Sequence, residues 1–275
     1  MKAFTTVQNF SLKQRRILLK ALHADSVRNP AAFWDEAAKE IDWIRNHDLI
    51  LDDSKTPFSK WFPSRTLNTC FNALDRHIKD RAQQAAVIYD SPVTNTVESI
   101  SYQELLTSVN SLSALLLNLD IKKGDRVIIY MPNIPQAIIA MLACTRIGAV
   151  HSVVFGGFAA TELATRIKDS KPKVIIAASC GIDGRKVIAY KPLLDEAINL
   201  ASDSHRVGKC IILQRDALQA TLVSSRDVDW ATGVKPFDGV EIPCVELQSG
   251  DPSYILYTSG TTGMNELQCL SDFSQ

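Results

Sequence analysis

Apolar residues recur along this chain in two periods, and the switching between them outlines the architecture. After Ser101, the residues Tyr102, Leu105, Leu106, Val109, Leu112, Leu115, Leu116 and Leu119 fall on one stripe at helical spacing. Ser101-Tyr102-Gln103-Glu104 has the form of a capping box, in which a serine hydroxyl and a glutamate three residues on answer each other's backbone amides. The pattern predicts a helix with one buried face. Near-continuous apolar runs then take over: Arg126–Met131 reads as a strand opened by Gly124-Asp125, Pro135 starts a helix reaching Arg146, Gly148 stops it, and Ala149–Phe155 supplies the next strand. Gly156-Gly157, a helical segment from Ala159 to Ser170, Pro172 and the run Val174–Ala178 repeat the unit. A helix near Leu193–Ala201 leading to Cys210–Leu213 repeats it again. Strands that are apolar throughout and alternate with helices predict the α/β class, a mostly parallel sheet with helices on both faces.

Before this core the pattern predicts a helical and extended cap, with Phe33, Trp34, Ala37, Ile41 and Ile44 at helical spacing and the proline-containing stretch Thr56–Ser64 after them. Trp34, Trp43 and Trp61 read as packing anchors. Residues 214–250 are polar and weakly patterned, which suits loops and short strands. They lead to Tyr254-Ile255-Leu256-Tyr257, whose β-branched and aromatic character is that of a strand.

Composition narrows the field of partners. The 275 residues are 46% hydrophobic and 22% charged, enough apolar material for a sizeable core. Thirty basic and thirty acidic residues cancel, so neither nucleic acid nor an anionic membrane is favoured as a principal partner, and any anion site must be local. No apolar run approaches the ~20 residues of a membrane span. Cysteines 70, 144, 180, 210, 244 and 269 form no Cys-x-x-Cys pair, which argues for buried thiols in a reducing compartment rather than a metal ribbon. The first 24 residues carry Lys2, Lys13, Arg15, Arg16 and Lys20 without an acid, and read equally as a mitochondrial transit peptide or as a basic first helix of a cytoplasmic protein.

The strongest local chemistry follows the last predicted strand. In Thr258-Ser259-Gly260-Thr261-Thr262-Gly263, glycines let the backbone turn its amides toward an anion and hydroxyls add donors without bulk. After a strand, such a loop would stand at the carboxyl edge of the sheet, where open α/β sheets bind ligands. No Gly-Lys-Ser/Thr follows, so this is not a Walker loop. The segment from Gly181 to Lys186 sets Arg185 and Lys186 on a glycine-flanked loop, where they could meet a phosphate or be solvated charges. Phe155-Gly156-Gly157-Phe158 reads as a tight strand-to-helix turn ahead of a ligand contact, and His77 and His151 as satisfied structural histidines ahead of catalytic ones.

Tyr257-Thr258-Ser259-Gly260-Thr261-Thr262-Gly263 resembles the phosphate loop of the adenylate-forming enzymes. Trp61-Phe62, Leu67-Asn68, Asp75-Arg76-His77, Ile88-Tyr89-Asp90-Ser91-Pro92, Tyr130-Met131-Pro132, Arg146 to Ser152 and Phe155 to Phe158 resemble, in order, the AMP-forming short-chain acyl-CoA synthetases that act on acetate and propionate. Ser91 to Thr96 leans toward the propionate-preferring members. The resemblance implies a basic segment at 1–24, an acetyl-CoA-synthetase-type cap at 25–85, the amino-terminal half of an adenylate-forming large domain at 86–263 and a divergent tail at 264–275. It further implies ATP, coenzyme A and Mg2+ as cofactors, a short-chain carboxylate as substrate, Thr258–Gly263 on the ATP phosphates, and Arg185 and Lys186 on the 3′-phosphate of coenzyme A. Another family contact there falls on an acid, Asp183. The family loop continues with Pro-Lys-Gly, whereas Gly263 here runs into Met264-Asn265-Glu266. The expectation is therefore a truncated synthetase that is inactive alone, with no catalytic residue of its own. The alternatives are a non-catalytic module associating with full-length subunits and an unstable product.

Overall fold

The computed structural model describes residues 11–258 and 266–271. The chain divides into two compact units, residues 1–67 with 248–250 and residues 68–247 with 251–275.

The first unit holds helices α1 (Leu12–Arg28) and α2 (Pro30–Ala38), and strands β1 (Leu51–Asp52), β2 (Lys60–Trp61) and β3 (Thr66–Leu67), with β1 and β2 antiparallel. Asn29 caps α2 by accepting the Ala32 amide, and Pro30 occupies its first position, where a missing amide costs nothing. The helix is shorter than its apolar spacing predicts. It ends at Ala38, whose carbonyl accepts the Trp43 indole N–H at 2.9 Å, and Ile44 donates to Thr66 instead of continuing the turn. Ile41 and Ile44 thus share the helical period without belonging to the helix. Phe33, Trp34, Trp61, Phe62 and Trp43 pack in a chain of ring contacts 5.3–6.3 Å apart, with the Arg65 guanidinium over Trp43 and Phe62. Trp43 and Trp61 are half-buried in this chain of rings, as packing anchors would be, while Trp34 stays exposed on its outer side.

The second unit opens with a π-helical turn (Phe71–Asp75), helix α3 (Arg76–Arg81) and an antiparallel hairpin of β4 (Ala85–Ser91) and β5 (Thr96–Ser101). Helix α4 (Tyr102–Asn118) begins at the expected capping box: the Glu104 amide donates to Ser101 Oγ at 3.3 Å, and the Ser101 amide to Glu104 Oε2 at 2.8 Å. Leu105, Val109, Leu112, Leu115 and Leu116 of its stripe are buried, and Tyr102, Leu106 and Leu119 pack against the same core.

The βαβ series then runs β6 (Arg126–Met131), α5 (Pro135–Arg146), β7 (Val150–Phe155), α6 (Ala160–Ser170), β8 (Val174–Ala178), the hairpin β9 (Cys180–Asp183) and β10 (Lys186–Ala189), α7 (Tyr190–Ala201) and β11 (Lys209–Leu213). Strand β12 (Asp227–Asp229), the short α8 (Trp230–Val234), β13 (Leu247–Gln248), β14 (Pro252–Thr258) and β15 (Glu266–Ser271) complete the described chain. Helix α7 begins three residues before the apolar pattern does. Pro192 lies in its first turn, where the amide it lacks would have no intrahelical partner.

The main sheet has the order β12-β11-β8-β6-β7-β14-β15, parallel throughout except for the antiparallel pair β14–β15. Strand β6 lies in the middle, β7 is added on one side and β8 on the other. Right-handed crossovers of opposite direction put α5 and α6 on opposite faces. Val127, Ile128, Ile129, Ile175, Ile176, Ile211 and Ile212 are fully buried between those layers. Among the described residues, Val153, Phe155 and Leu256, on the carboxyl halves of β7 and β14, are exposed.

Candidate ligand edge of the sheet

Parallel strands all end on one edge, and the chain order fixes where that edge can open. Because β6 is followed by β7 on one side and β8 on the other, the connections leaving β6 and β8 diverge to opposite faces and leave a crevice at their carboxyl ends. A cavity of about 330 Å³ lies there, between Pro132, Asn133 and Ile134 after β6, Gly156 and Gly157 after β7, Ile182 and Asp183 of β9, and Arg215 after β11. Tyr190 forms part of its wall.

Two glycines make room for that ring. A Cβ on Gly181 would lie 1.9 Å from the Tyr190 hydroxyl, and one on Gly156 would lie 2.4 Å from the Tyr190 ring and 2.7 Å from the Met131 backbone. Any side chain at either position would displace Tyr190 or a strand end. The Phe155-Gly156-Gly157-Phe158 segment is therefore a tight turn, with the amides of Gly157 and Phe158 both donating to the Phe155 carbonyl, and its glycines also border the cavity.

Arg185 and Lys186 lie on the β9–β10 hairpin beside this cavity. Gly184 adopts φ +56° in the turn, a conformation that glycine takes freely, and the ladder register sets Lys186 opposite Asp183. Asp183, Arg185 and Lys186 are all exposed. The structure thus brings both basic residues to the ligand edge, with the acid across the ladder from Lys186. Arg215 is held nearby by donating to the Cys180 carbonyl at 3.1 Å.

Strand β14 reaches the same edge. It pairs in parallel with β7 through Tyr254 and His151, and the Ser152 hydroxyl donates to the Ile255 carbonyl at 3.1 Å. Its carboxyl end is fixed by Tyr257, whose hydroxyl donates to Asp169 Oδ2 at 2.8 Å and whose ring lies under the Arg166 guanidinium. Burial, and then the Asp169 carboxylate, push the Tyr257 phenol well above its ordinary range, so it stays protonated as a donor. Arg166 also covers Phe158 and donates to the Glu162 carbonyl, tying the strand end to helix α6. Thr258, the first residue of the predicted phosphate loop, is the exposed last residue of β14. Ser259, Gly260, Thr261, Thr262 and Gly263 lie outside the described residues.

His151 differs from the expectation of a satisfied histidine. It is buried and stacked on Tyr254 with ring centroids 5.8 Å apart, but its Nδ1 has no hydrogen-bond partner. Burial pushes its pKa down to about 4, which keeps the ring neutral. His77 lies beside the Tyr102 ring.

Sequence reasoning missed Tyr190, Asn133 and Arg215 at the cavity, because no local motif marks a residue that reaches a site by topology. It also missed what holds the opposite edge. There Asn68 donates to the carbonyls of Thr145 and Val245 at 3.0 and 2.8 Å, and Arg146 makes a fork on both Asp75 oxygens at 2.8 and 2.9 Å. A second set joins buried Lys191 and Asp227 to the partly exposed Asp195 and Arg226, with Lys191 Nζ 3.0 Å from Asp227 and Arg226 Nε at 2.7 Å. Burial raises the Asp227 pKa, but Arg226 and Lys191 outweigh it and hold the carboxyl below its ordinary value.

A doubly wound sheet whose switch-point cavity and the end of β14 share one edge defines the class of α/β nucleotide- and cofactor-binding folds. Within that class the chain belongs to the AMP-binding enzyme family, whose model matches residues 74–265, while a model of the acetyl-coenzyme A synthetase N-terminus matches residues 19–73. It is 46% identical over 247 residues to the mitochondrial acyl-CoA synthetase short-chain family member 3 of Rattus norvegicus, covering 89% of this chain and 36% of that protein. It is 42% identical over 238 residues to the propionate–CoA ligase of Salmonella typhimurium, covering 86% of this chain and 38% of the ligase. The solved acetoacetyl-CoA synthetase from Streptomyces lividans superposes with a TM-score of 0.82 at 28% identity, over 92% of this chain and 38% of that one. The chain thus spans a little over a third of the length of these relatives.

Proposed function

We propose that this chain carries part of the ligand-binding framework of an AMP-forming short-chain acyl-CoA synthetase. The reaction activates propionate or acetate with ATP and Mg2+ to an acyl-adenylate, and the coenzyme A thiol then displaces AMP. The observation that carries this reading is that β14 ends at Thr258 on the same sheet edge as the switch-point cavity and the Arg185–Lys186 hairpin. In this reading, donors from Thr258 to Gly263 bind the ATP phosphates and stabilise charge on the departing pyrophosphate, and Arg185 and Lys186 meet the 3′-phosphate of coenzyme A. None of these residues transfers a proton. The names of the relatives support the substrate class, and those of the mammalian ones support a mitochondrial matrix location.

Calorimetric titration of coenzyme A and of dephospho-coenzyme A into the 275-residue chain tests the hairpin assignment. Coenzyme A should bind more tightly by about tenfold or more, as a charge-assisted phosphate contact predicts, and Lys186→Ala should reduce the difference. Equal affinity for the two would contradict it.

A second reading, association with a longer subunit, draws on the exposed Val153, Phe155 and Leu256. Sedimentation with a full-length short-chain synthetase should then show a complex that Phe155→Asp weakens. Independent sedimentation would remove that reading.

A further inference from the structure

Far from the ligand edge, where α5 hands the chain to β7, two cysteines distant in sequence come together. One sulfur atom each from Cys70 and Cys244 and a carboxylate oxygen of Asp75 all lie within 4.8 Å of one another. Arg146 Nη1 donates to Cys70 Sγ at 3.5 Å, and the Cys244 thiol faces Asp75 Oδ2 at 3.8 Å. Cys70 is buried and Cys244 half-buried.

We propose that Cys70 and Cys244 form a reversible redox pair, which hydrogen peroxide closes into a disulfide beside the Asp75–Arg146 ion pair. The setting of these thiols differs from that of the chain's isolated ones. Cys144 and Cys210 are both buried, and burial pushes both thiols up to about 12. Cys70 is shifted the opposite way, by a hydrogen bond from the Cys244 thiol and, against the effect of burial, by the Arg146 guanidinium. A divalent metal fits the three ligand atoms poorly. Arg146 already holds both Asp75 oxygens and contacts Cys70, so the ion would sit against a fixed positive charge.

Solvent comes close to the pair. A cavity of about 630 Å³ is lined by Asp75 and Arg146, which contact the two sulfurs, and by Gly239 to Pro243, the residues just before Cys244, while Cys244 itself is half-buried. The Cys70 thiolate attacks one peroxide oxygen, the O–O bond breaks, and the hydroxide that leaves takes the Cys244 proton as water. The Cys244 thiolate then attacks the Cys70 sulfenic sulfur, the S–S bond forms, the S–O bond breaks, and the second hydroxide leaves with a solvent proton as water. In sum, two thiols and one peroxide give one disulfide and two waters.

The bond would fasten the segment from Gly239 to Glu246, otherwise held by contacts such as Val245 N–H to the Arg146 carbonyl at 2.8 Å, to the π-helical turn after Cys70. Because it closes a long stretch of chain, it should restrict the unfolded state strongly.

The test treats the full chain with stoichiometric hydrogen peroxide, alkylates it with N-ethylmaleimide under denaturing conditions and maps non-reduced peptides by mass. A Cys70–Cys244 cross-linked pair, lost in Cys244→Ser and retained in Cys144→Ser, is the expected result. The thermal midpoint of the oxidised chain should rise by several degrees, fall back with dithiothreitol and stay fixed in Cys244→Ser. Full alkylation of both cysteines after peroxide, a sulfinic acid at Cys244, cross-links to other cysteines, or stoichiometric zinc bound by the wild type and not by Cys244→Ser would each overturn the proposal.

Discussion

Arg146 and Lys186 are both basic residues in segments that resemble one enzyme family, and the structure treats them in opposite ways. Arg146 ends α5 at the amino edge of the sheet, buried and forked onto Asp75. Lys186 begins β10 at the carboxyl edge, exposed beside a two-residue turn that packs little else. A short matching segment therefore marks a position under constraint without saying whether the constraint is building or binding. Burial and pairing separate the two: a charge whose donors are all answered inside the protein holds the fold, and one left in solvent beside a cavity is free to meet a ligand.

The contrast predicts unequal effects. Arg146→Ala should cost about 3–5 kcal/mol, because it strands a carboxylate that the guanidinium now holds, and Arg146→Lys should not restore it, since an ammonium cannot make the fork. Urea denaturation measures both, and a loss under 1 kcal/mol would move Arg146 out of the structural class. Gly156→Ala tests the border between the regions. Its new Cβ would meet the Met131 backbone and Tyr190, so about 1–3 kcal/mol of stability should go, together with the shape of the cavity. Lys186→Ala and Arg185→Ala should leave stability within about 0.5 kcal/mol of wild type, as solvated side chains do, while weakening coenzyme A binding.

A different kind of effect is a pH dependence at His151. Folding lowers its pKa from an ordinary 6.5 to about 4. Between those values the unfolded chain binds a proton that the folded chain refuses, so stability falls as pH drops through the window, by about 1.4 kcal/mol per pH unit from this residue. Above pH 6.5 the ring is neutral in both states and adds no slope. His151→Gln should flatten the urea-derived stability profile between pH 6.5 and 4, and an unchanged slope would place its source elsewhere.

Much of the core was legible because its signals are local. Gly148 turns at φ +73° where the α5–β7 connection requires it, Pro135 opens α5, and the apolar runs 126–131 and 174–178 coincide with β6 and β8. The β4–β5 hairpin gave no such signal: Ile88 and Val97 are exposed, so alternation does not report a buried face. Ile41 and Ile44 gave a false one, since their helical period continues past the point where Trp43 caps α2. At the carboxyl edge, the strand that ends at Thr258 and the turn that carries Arg185 and Lys186 have local signals. The crevice follows from strand order, and no single segment of sequence carries it.

The central claim is that phosphate recognition belongs to the carboxyl edge, where β14 ends at Thr258. Amide-resolved NMR of the labelled chain titrated with magnesium pyrophosphate tests it most directly. The account predicts that the largest saturable shifts fall on the amides from Thr258 to Gly263, with Asn68, Asp75 and Arg146 unmoved. Shifts centred on that buried set, or no saturable shift in the loop, would contradict it.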